Sequence, residues 1–436
     1  MRISCGIAVL VVVAACAGGS LRADDWPQYR GPKRDDVSAE KGLLQQWPEK
    51  GPPLLWTYAN AGVGYSGPAV VGNRYYTIGG RGDSEFLIAL DVDKVKDGAP
   101  AEAWAAKVGP LFTWEGNHWS AGPSSTPTVD GDAVFALGGN GDLVCVAAAD
   151  GKARWRVNLP AALEAEVNPI GGGPKKLGWG FTWAPLVDGD RLICLPGGPK
   201  GTVAALEKRT GKVAWRSAEL TDQAAYTSPM AAVIDGVRQY VVLTNMGVRG
   251  VSAADGRLLW KHDRRFNTEV VNSPMISGAL VFITVGGGRG GDLLRVKRAG
   301  NAFAVEEVYT NKNVSNHHGN IVLFEGHLYG ASEGKGWVCQ SLETGELAWS
   351  ERSKVPGGSV TYADGRFYAY GDRDGATALV EASSKACTVL GRFVPPRAST
   401  QRKKSGGVWT PPVVSGGKLF LRDQELVFCY DVRAAK

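Results

Sequence analysis

Short apolar runs alternate along this chain with turns that contain glycine, and the alternation repeats. The plainest unit is Thr202–Trp215, TVAALEKRTGKVAW, in which an apolar run, a tight turn at Thr210-Gly211 and a second run ending in tryptophan predict a β-hairpin. The same shape returns at Val144–Trp155, Val251–Trp260 and Val338–Trp349. Upstream of each hairpin lies a matching half: a short polar or aromatic lead-in, often with proline, then an apolar strand and a glycine turn. The lead-ins are Tyr65-Ser66-Gly67-Pro68, Ser125-Thr126-Pro127, Thr182-Trp183-Ala184-Pro185, Thr227-Ser228-Pro229, Asn272-Ser273-Pro274, His317-His318-Gly319, Gly358-Ser359-Val360 and Trp409-Thr410-Pro411. That makes eight units. Four strands in about 40 to 50 residues is the size of one propeller blade. Several strands are apolar on both faces, as strands sandwiched between neighbouring blades must be.

Five units close on a tryptophan late in the last strand: Trp104, Trp155, Trp215, Trp260 and Trp349. Such a ring is expected to wedge between adjacent blades and bury well over about 100 Å². The units closing at Val305–Tyr309 and Thr388–Phe393 lack it. The last unit, Trp409–Val432, supplies only three strands, whereas Pro53–Ala59 (PLLWTYA) reads as a fourth strand with no first three before it. Setting that N-terminal run on the outer edge of the last blade closes the ring and removes its open edge. The expected fold is all-β: an eight-bladed β-propeller of four-stranded antiparallel blades, closed by an N-terminal strand.

Composition agrees, since 59 glycines and 14 tryptophans in 436 residues suit a β protein with many turns and large packing anchors. Met1–Ala23 reads as an export signal, with Arg2 as its positive start, Ile7–Ala15 as its apolar stretch and Ala23 before the cut. The mature chain, 24–436, is then one propeller domain outside the cytoplasm. Val13-Ala14-Ala15-Cys16 supports a second reading, lipidation at Cys16, which would tether a periplasmic protein to a membrane. No later apolar run approaches the ~20 residues that span a bilayer. Cleavage lowers the net charge of +6 to +5 or +4, too little to argue for nucleic acid. The basic triplet Arg402-Lys403-Lys404 is expected to be a solvated loop. Cys145, Cys194, Cys339, Cys387 and Cys429 form no CxxC, and four of them sit in apolar runs as buried free thiols.

The spaced pattern of Ser/Thr-Pro, apolar strand, Gly, Ala-Leu or a near equivalent, Thr-Gly or Asp-Gly and Trp resembles the pyrroloquinoline-quinone-type propeller repeat over Trp26–Val432. That superfamily includes quinoprotein dehydrogenases and the propeller lipoprotein of outer-membrane β-barrel assembly. The resemblance implies the fold strongly and function weakly, because repeat residues hold blades together while one fold hosts many activities. It implies two roles: an exported scaffold in outer-membrane assembly, or a dehydrogenase using pyrroloquinoline quinone and Ca²⁺. The adjacent cysteine pair of the quinone enzymes is absent. Ca²⁺ needs six to eight oxygen ligands, and the lead-ins offer mostly hydroxyl, amide, imidazole and indole groups.

Other motifs yield little. Gly286–Gly291 precedes a strand and not a helix, so it reads as a strand connection and not a phosphate cradle. Arg81-Gly82-Asp83 reads as a turn. His317 and His318, as neighbours in a strand, would point to opposite faces and could not share one metal ion. Geometry remains. First strands surround the axis, so Tyr65, Ser125, Trp183, Tyr226, Asn272, His317 or His318, and Trp409 are expected to ring one mouth of the channel. Long aromatic connections, Thr113–Ser124, Val167–Phe181 and Pro395–Val408, belong to the same face. The rings there either bind a peptide, a glycan or another protein, or plug the channel.

The expected function is a non-enzymatic binding or assembly scaffold in the cell envelope. It is a monomer with no catalytic residues, metal or cofactor, and takes a protein or peptide partner at those ring residues. The rival is a pyrroloquinoline-quinone-dependent dehydrogenase. The closure makes a direct prediction: a chain beginning after Gly62 loses its single cooperative transition in urea, and an unchanged transition refutes the closing strand.

Overall fold

A four-stranded sheet that is apolar on both faces cannot be stable alone, and stacking such sheets around an axis covers every face. The computed structural model describes residues 24–171, 178–300 and 302–435 and has this architecture. Eight antiparallel four-stranded sheets, blades one to eight, follow in chain order with first strands at Ala69–Val71, Thr128–Asp130, Leu186–Asp188, Met230–Ile234, Met275–Ser277, Val322–Phe324, Gly358–Ala363 and Val413–Ser415. The described residues include one short helix, Leu159–Leu163. Leu54–Tyr58 pairs antiparallel with Leu426–Asp431 as the outer strand of blade eight, the closure expected from Pro53–Ala59. The signal-peptide and Cys16 readings lie outside the described residues.

The closing tryptophans bridge blades. Indole Nε1 of Trp104 donates to Ala148 O of blade two at 3.1 Å, Trp155 to Lys208 O of blade three at 2.9 Å, and Trp349 to Ser383 O of blade seven at 3.0 Å. Trp215 lies 6.2 Å from Tyr240 of blade four, nearly parallel. Each of the first rings lies over the turn glycine of the next blade. A Cβ on Gly151 would stand 2.6 Å from Trp104 Cε3, and one on Gly211 2.8 Å from Trp155 Cε3. Gly256 lies under Trp215 in the same way. Position and a φ near +75° both exclude a side chain there, which explains the Thr-Gly and Asp-Gly turns. Where the tryptophan is missing, Tyr309 takes its place, donating to Leu342 O at 2.8 Å, and Phe393 packs 4.8 Å from Tyr430. Trp260 differs, because its Nε1 donates to Gln239 within its own blade.

The Ser/Thr-Pro lead-ins are blade staples at the axis. Ala184 N donates to Ser228 Oγ and Ser228 N to Ser273 Oγ, both at 2.9 Å, linking blades three, four and five. Asn272 Nδ2 donates to Asn316 O at 2.8 Å, and Asn320 exchanges two hydrogen bonds with Val360. Between blades eight and one the staple is Arg422, 1% exposed. Its Nη1 donates to Ser66 O, Thr77 Oγ1 and Ile78 O, its Nη2 to Gly62 O and its Nε to Gln424 O.

The channel is filled by the segment before the closing strand, which sequence reading left without a role. Trp26 exchanges backbone hydrogen bonds with Val70, Pro27 O accepts from Val129 N, and Asp24 O accepts from Ser415 Oγ. Arg34 donates to Ala184 O, Pro185 O and Pro229 O, and Arg30 to Ile321 O while pairing with Asp36. Tyr29 OH lies 3.5 Å from Ser273 Oγ, and Val37–Ser38 runs parallel to Gly358–Ala363 as a fifth strand of blade seven. Residues 24–38 therefore touch all eight blades. Burial pushes the Arg34 guanidinium down to about 9.

The tryptophan-over-glycine contact is testable by a double-mutant cycle. Trp215 is half-buried, so Trp215→Ala is expected to cost about 2 kcal/mol in urea unfolding, below the range for a fully buried ring. Gly256→Ala is expected to cost a similar ~2 kcal/mol from backbone strain and the clash with the indole. The double mutant should cost less than the sum by at least ~0.5 kcal/mol, since the clash needs the ring. Strict additivity rejects the contact.

Candidate functional site

At the mouth above the N-terminal segment lies a cavity of about 330 Å³. Its floor is Tyr29, and its walls come from lead-ins and from the long connections outside the repeat. Of the ring residues expected from sequence, Tyr65, Tyr226, His317, His318 and Trp409 line it. Ser125, Trp183 and Asn272 are buried between blades, and their neighbours Ser124, Thr126, Thr182 and Val271 face the cavity instead. These lead-in residues precede the first strands, and the lead-in repeat does not tell which of them faces the axis.

The long connections are tied to one another across the mouth. Tyr65 OH donates to Trp119 O at 3.0 Å, and Ser405 N to His118 O at 2.8 Å. Tyr226 OH stands 2.7 Å from both Asn168 O and Ile170 O, which share its one proton, and accepts from Trp179 N. These contacts bring two aromatic groups to the cavity. On one side Trp119 and Trp179 meet edge to face at 5.9 Å. On the other, Trp409 lies between Tyr65 at 4.8 Å and His318 at 4.4 Å. Trp119 remains 45% exposed, the most open large ring at the mouth.

The histidines correct one expectation. Residues 317–319 form a bend and not a strand, so the two imidazoles stack on the same side, centroids 4.2 Å apart. His318, held between His317 and Trp409, is pushed by burial down to about 3 and stays neutral. His317 is raised instead, because Glu269 Oε2 lies 3.7 Å from its Nε2 and Glu333 Oε1 3.8 Å from its Nδ1. The partnership with His317 holds the Glu269 carboxyl down to about 2. Among the described residues no group of three or more His, Cys, Asp or Glu could hold a metal ion. The basic triplet also differs from expectation: Arg402 is not solvated but forms a two-pronged pair with Asp423, both bonds 2.7 Å, which anchors its loop.

Sequence reading missed Glu269 and Tyr29. Glu269 stands three residues before the expected Asn272, in a connection of no obvious pattern, and Tyr29 precedes the repeats altogether. Trp119 and Trp179 were legible as part of the aromatic connections.

The pair sets a pH dependence with opposite signs. A raised His317 contributes stability fully below its unfolded value, about 6.5, and loses it as pH rises through the folded value. A depressed Glu269 contributes above its unfolded value, about 4.3, and loses it as pH falls toward about 2. The pair is therefore strongest between about pH 4.3 and 6.5. Ring-proton NMR should place His317 above the free-histidine value in the wild type, and Glu269→Gln should lower it. A His317 titration unmoved by that change removes the pair.

The architecture has known relatives. Among solved structures, BamB from Moraxella catarrhalis aligns with a TM-score of 0.52 at 14% identity, covering 82% of this chain and 94% of that one. A europium-containing methanol dehydrogenase aligns at 0.62 and 12% identity, covering 92% and 89%. A quinohemoprotein alcohol dehydrogenase from Comamonas testosteroni aligns at 0.61 and 13%, covering 97% and 84%. At such identities the likeness carries the fold alone. No curated protein matches the chain in sequence. The family described as outer membrane protein assembly factor BamB matches residues 91–351, more than half the chain, and this propeller belongs to that family.

Proposed function

We propose that this chain is an exported, non-enzymatic scaffold of the cell envelope, acting in outer-membrane protein assembly, whose channel mouth holds a segment of a protein partner. The observation that carries this reading is where the repeat breaks. The long connections spend Trp119 and Trp179 on an open aromatic cavity and not on blade contacts. Open aromatic surface costs solubility and stability, and its usual compensation is a ligand. Family membership supports the assembly role. Export, through either simple cleavage or lipidation at Cys16, belongs to the same proposal, as does a monomeric state.

The described residues lining this cavity do not suit the quinone cofactor of the dehydrogenase reading. Pyrroloquinoline quinone carries three carboxylates, yet the described lining has no Arg or Lys to meet them. Ca²⁺ would need several oxygen ligands, and the described lining supplies one carboxylate, Glu269.

A photoreactive phenylalanine at position 119 is expected to cross-link one defined envelope protein in growing cells, while the same residue at exposed Val233 on blade four labels none. Equal labelling at both positions refutes the mouth as the binding face. Calcium-dependent dye reduction by purified protein given the quinone, lost in His317→Ala, refutes the scaffold reading.

A further inference from the structure

The chemistry at the mouth narrows what can bind there. Aromatic rings form the floor and two walls: Tyr29 below, Trp119 and Trp179 on one side, Tyr65 and Trp409 on the other. Amide side chains, which a sugar site uses with its stacking platforms, are absent from the described lining, as are Arg and Lys. Its hydroxyls are partly spent inside the protein, Thr182 on Tyr226 O and Ser228 on Ala184 N. Among the described lining residues the one carboxylate is Glu269. Its Oε2 accepts from Thr268 Oγ1 at 3.0 Å and faces the His317 ring. Its Oε1 points toward Gly171 beside the indole nitrogen of Trp179, and a Cβ at position 171 would clash with both. The carboxylate and the indole edge thus share a space left open by a glycine with φ +97°.

A ring face carries negative quadrupolar potential, so the exposed Trp119 ring and the Glu269 carboxylate in one cavity both favour a cation over an anion. Desolvation at a half-enclosed site strengthens that preference over what exposed rings provide. A cavity of about 330 Å³ takes one long side chain and the backbone that carries it, but no folded domain. We propose that the mouth captures the cationic side chain, arginine or lysine, of an extended segment of the partner, with Glu269 as its counter-ion and the exposed Trp119, beside Trp179, as its ring platform. The inference rests on reading the mouth as a peptide site and adds the charge that the peptide must carry. His317 sets the orientation: it occupies one oxygen of Glu269 and leaves the other toward Trp179.

The test uses the full mature protein and two isosteric probes, acetyl-Gly-Gly-Arg-Gly-Gly-amide and the same peptide with neutral citrulline for arginine, titrated by tryptophan fluorescence and calorimetry. The arginine peptide is expected to bind about tenfold more tightly, and Glu269→Gln to reduce that ratio below about threefold. Trp179→Ala should weaken the arginine peptide more than the citrulline one. Equal binding of the two peptides by the wild type overturns the cation inference and leaves a peptide site standing. Failure of both peptides, with cellopentaose or the quinone binding instead, overturns the peptide site and the inference together. The wild-type comparison decides even if a variant fails to fold, since it needs no substitution.

Discussion

Arg422 reaches from the last blade into the first, and each of its guanidinium nitrogens donates to an oxygen at that seam. A ring of sheets is stable only when its first and last members meet, because an open ring exposes two apolar faces and a strand edge. The outer edge is closed by Leu54–Tyr58, and the inner edge by this buried cation with the bonds from Ala61 N to Glu425 O and from Gly64 N to Gln424 Oε1. Burial, with the nearby Arg81 charge, pulls the guanidinium down to about 10. Backbone carbonyls aimed at it, together with the charges of Glu425 and Asp423, offset that opposition. Removing the side chain would leave four carbonyls of blades one and eight without their donor, so the seam has no neutral substitute.

The fold was legible because a propeller is a statement made eight times. Period, turn glycines and closing tryptophans each reported the same blade, and the missing fourth strand of the last unit pointed to Pro53–Ala59. What the repeat could not report was anything that occurs once. The N-terminal segment fills the axis with Arg30, Arg34 and Asp36 in left-handed backbone, residues that in sequence look like an ordinary polar lead. Nor could period decide which lead-in residue faces the axis: Ser125, Trp183 and Asn272 match the lining residues in type and spacing yet are buried between blades.

The same distinction separates architecture from chemistry. Serines and asparagines of the lead-ins are consumed by staples, so the mouth's character comes from what lies between blades. Glu85 shows how firmly these insertions are seated. It is fully buried in blade one, and its two oxygens accept from Phe112 N, at the base of the tryptophan-bearing connection, and from Gly139 N of blade two. A loop fixed at its root and open at its tip can vary in sequence without loosening the ring.

The channel-filling segment also governs the order in which the molecule can be made. Arg30 is synthesised early, but its acceptor Ile321 stands 291 residues later, and the strand that Val37–Ser38 joins comes later still. Until blades six, seven and eight exist, Arg30, Val37–Ser38 and Leu54–Tyr58 lack the partners they have in the closed ring. Folding here is dominated by distant contacts, the slowest kind to form. The ring therefore cannot be built stepwise from its beginning: the start of the chain must wait, accessible to chaperones and proteases alike, and is fixed only when the end arrives.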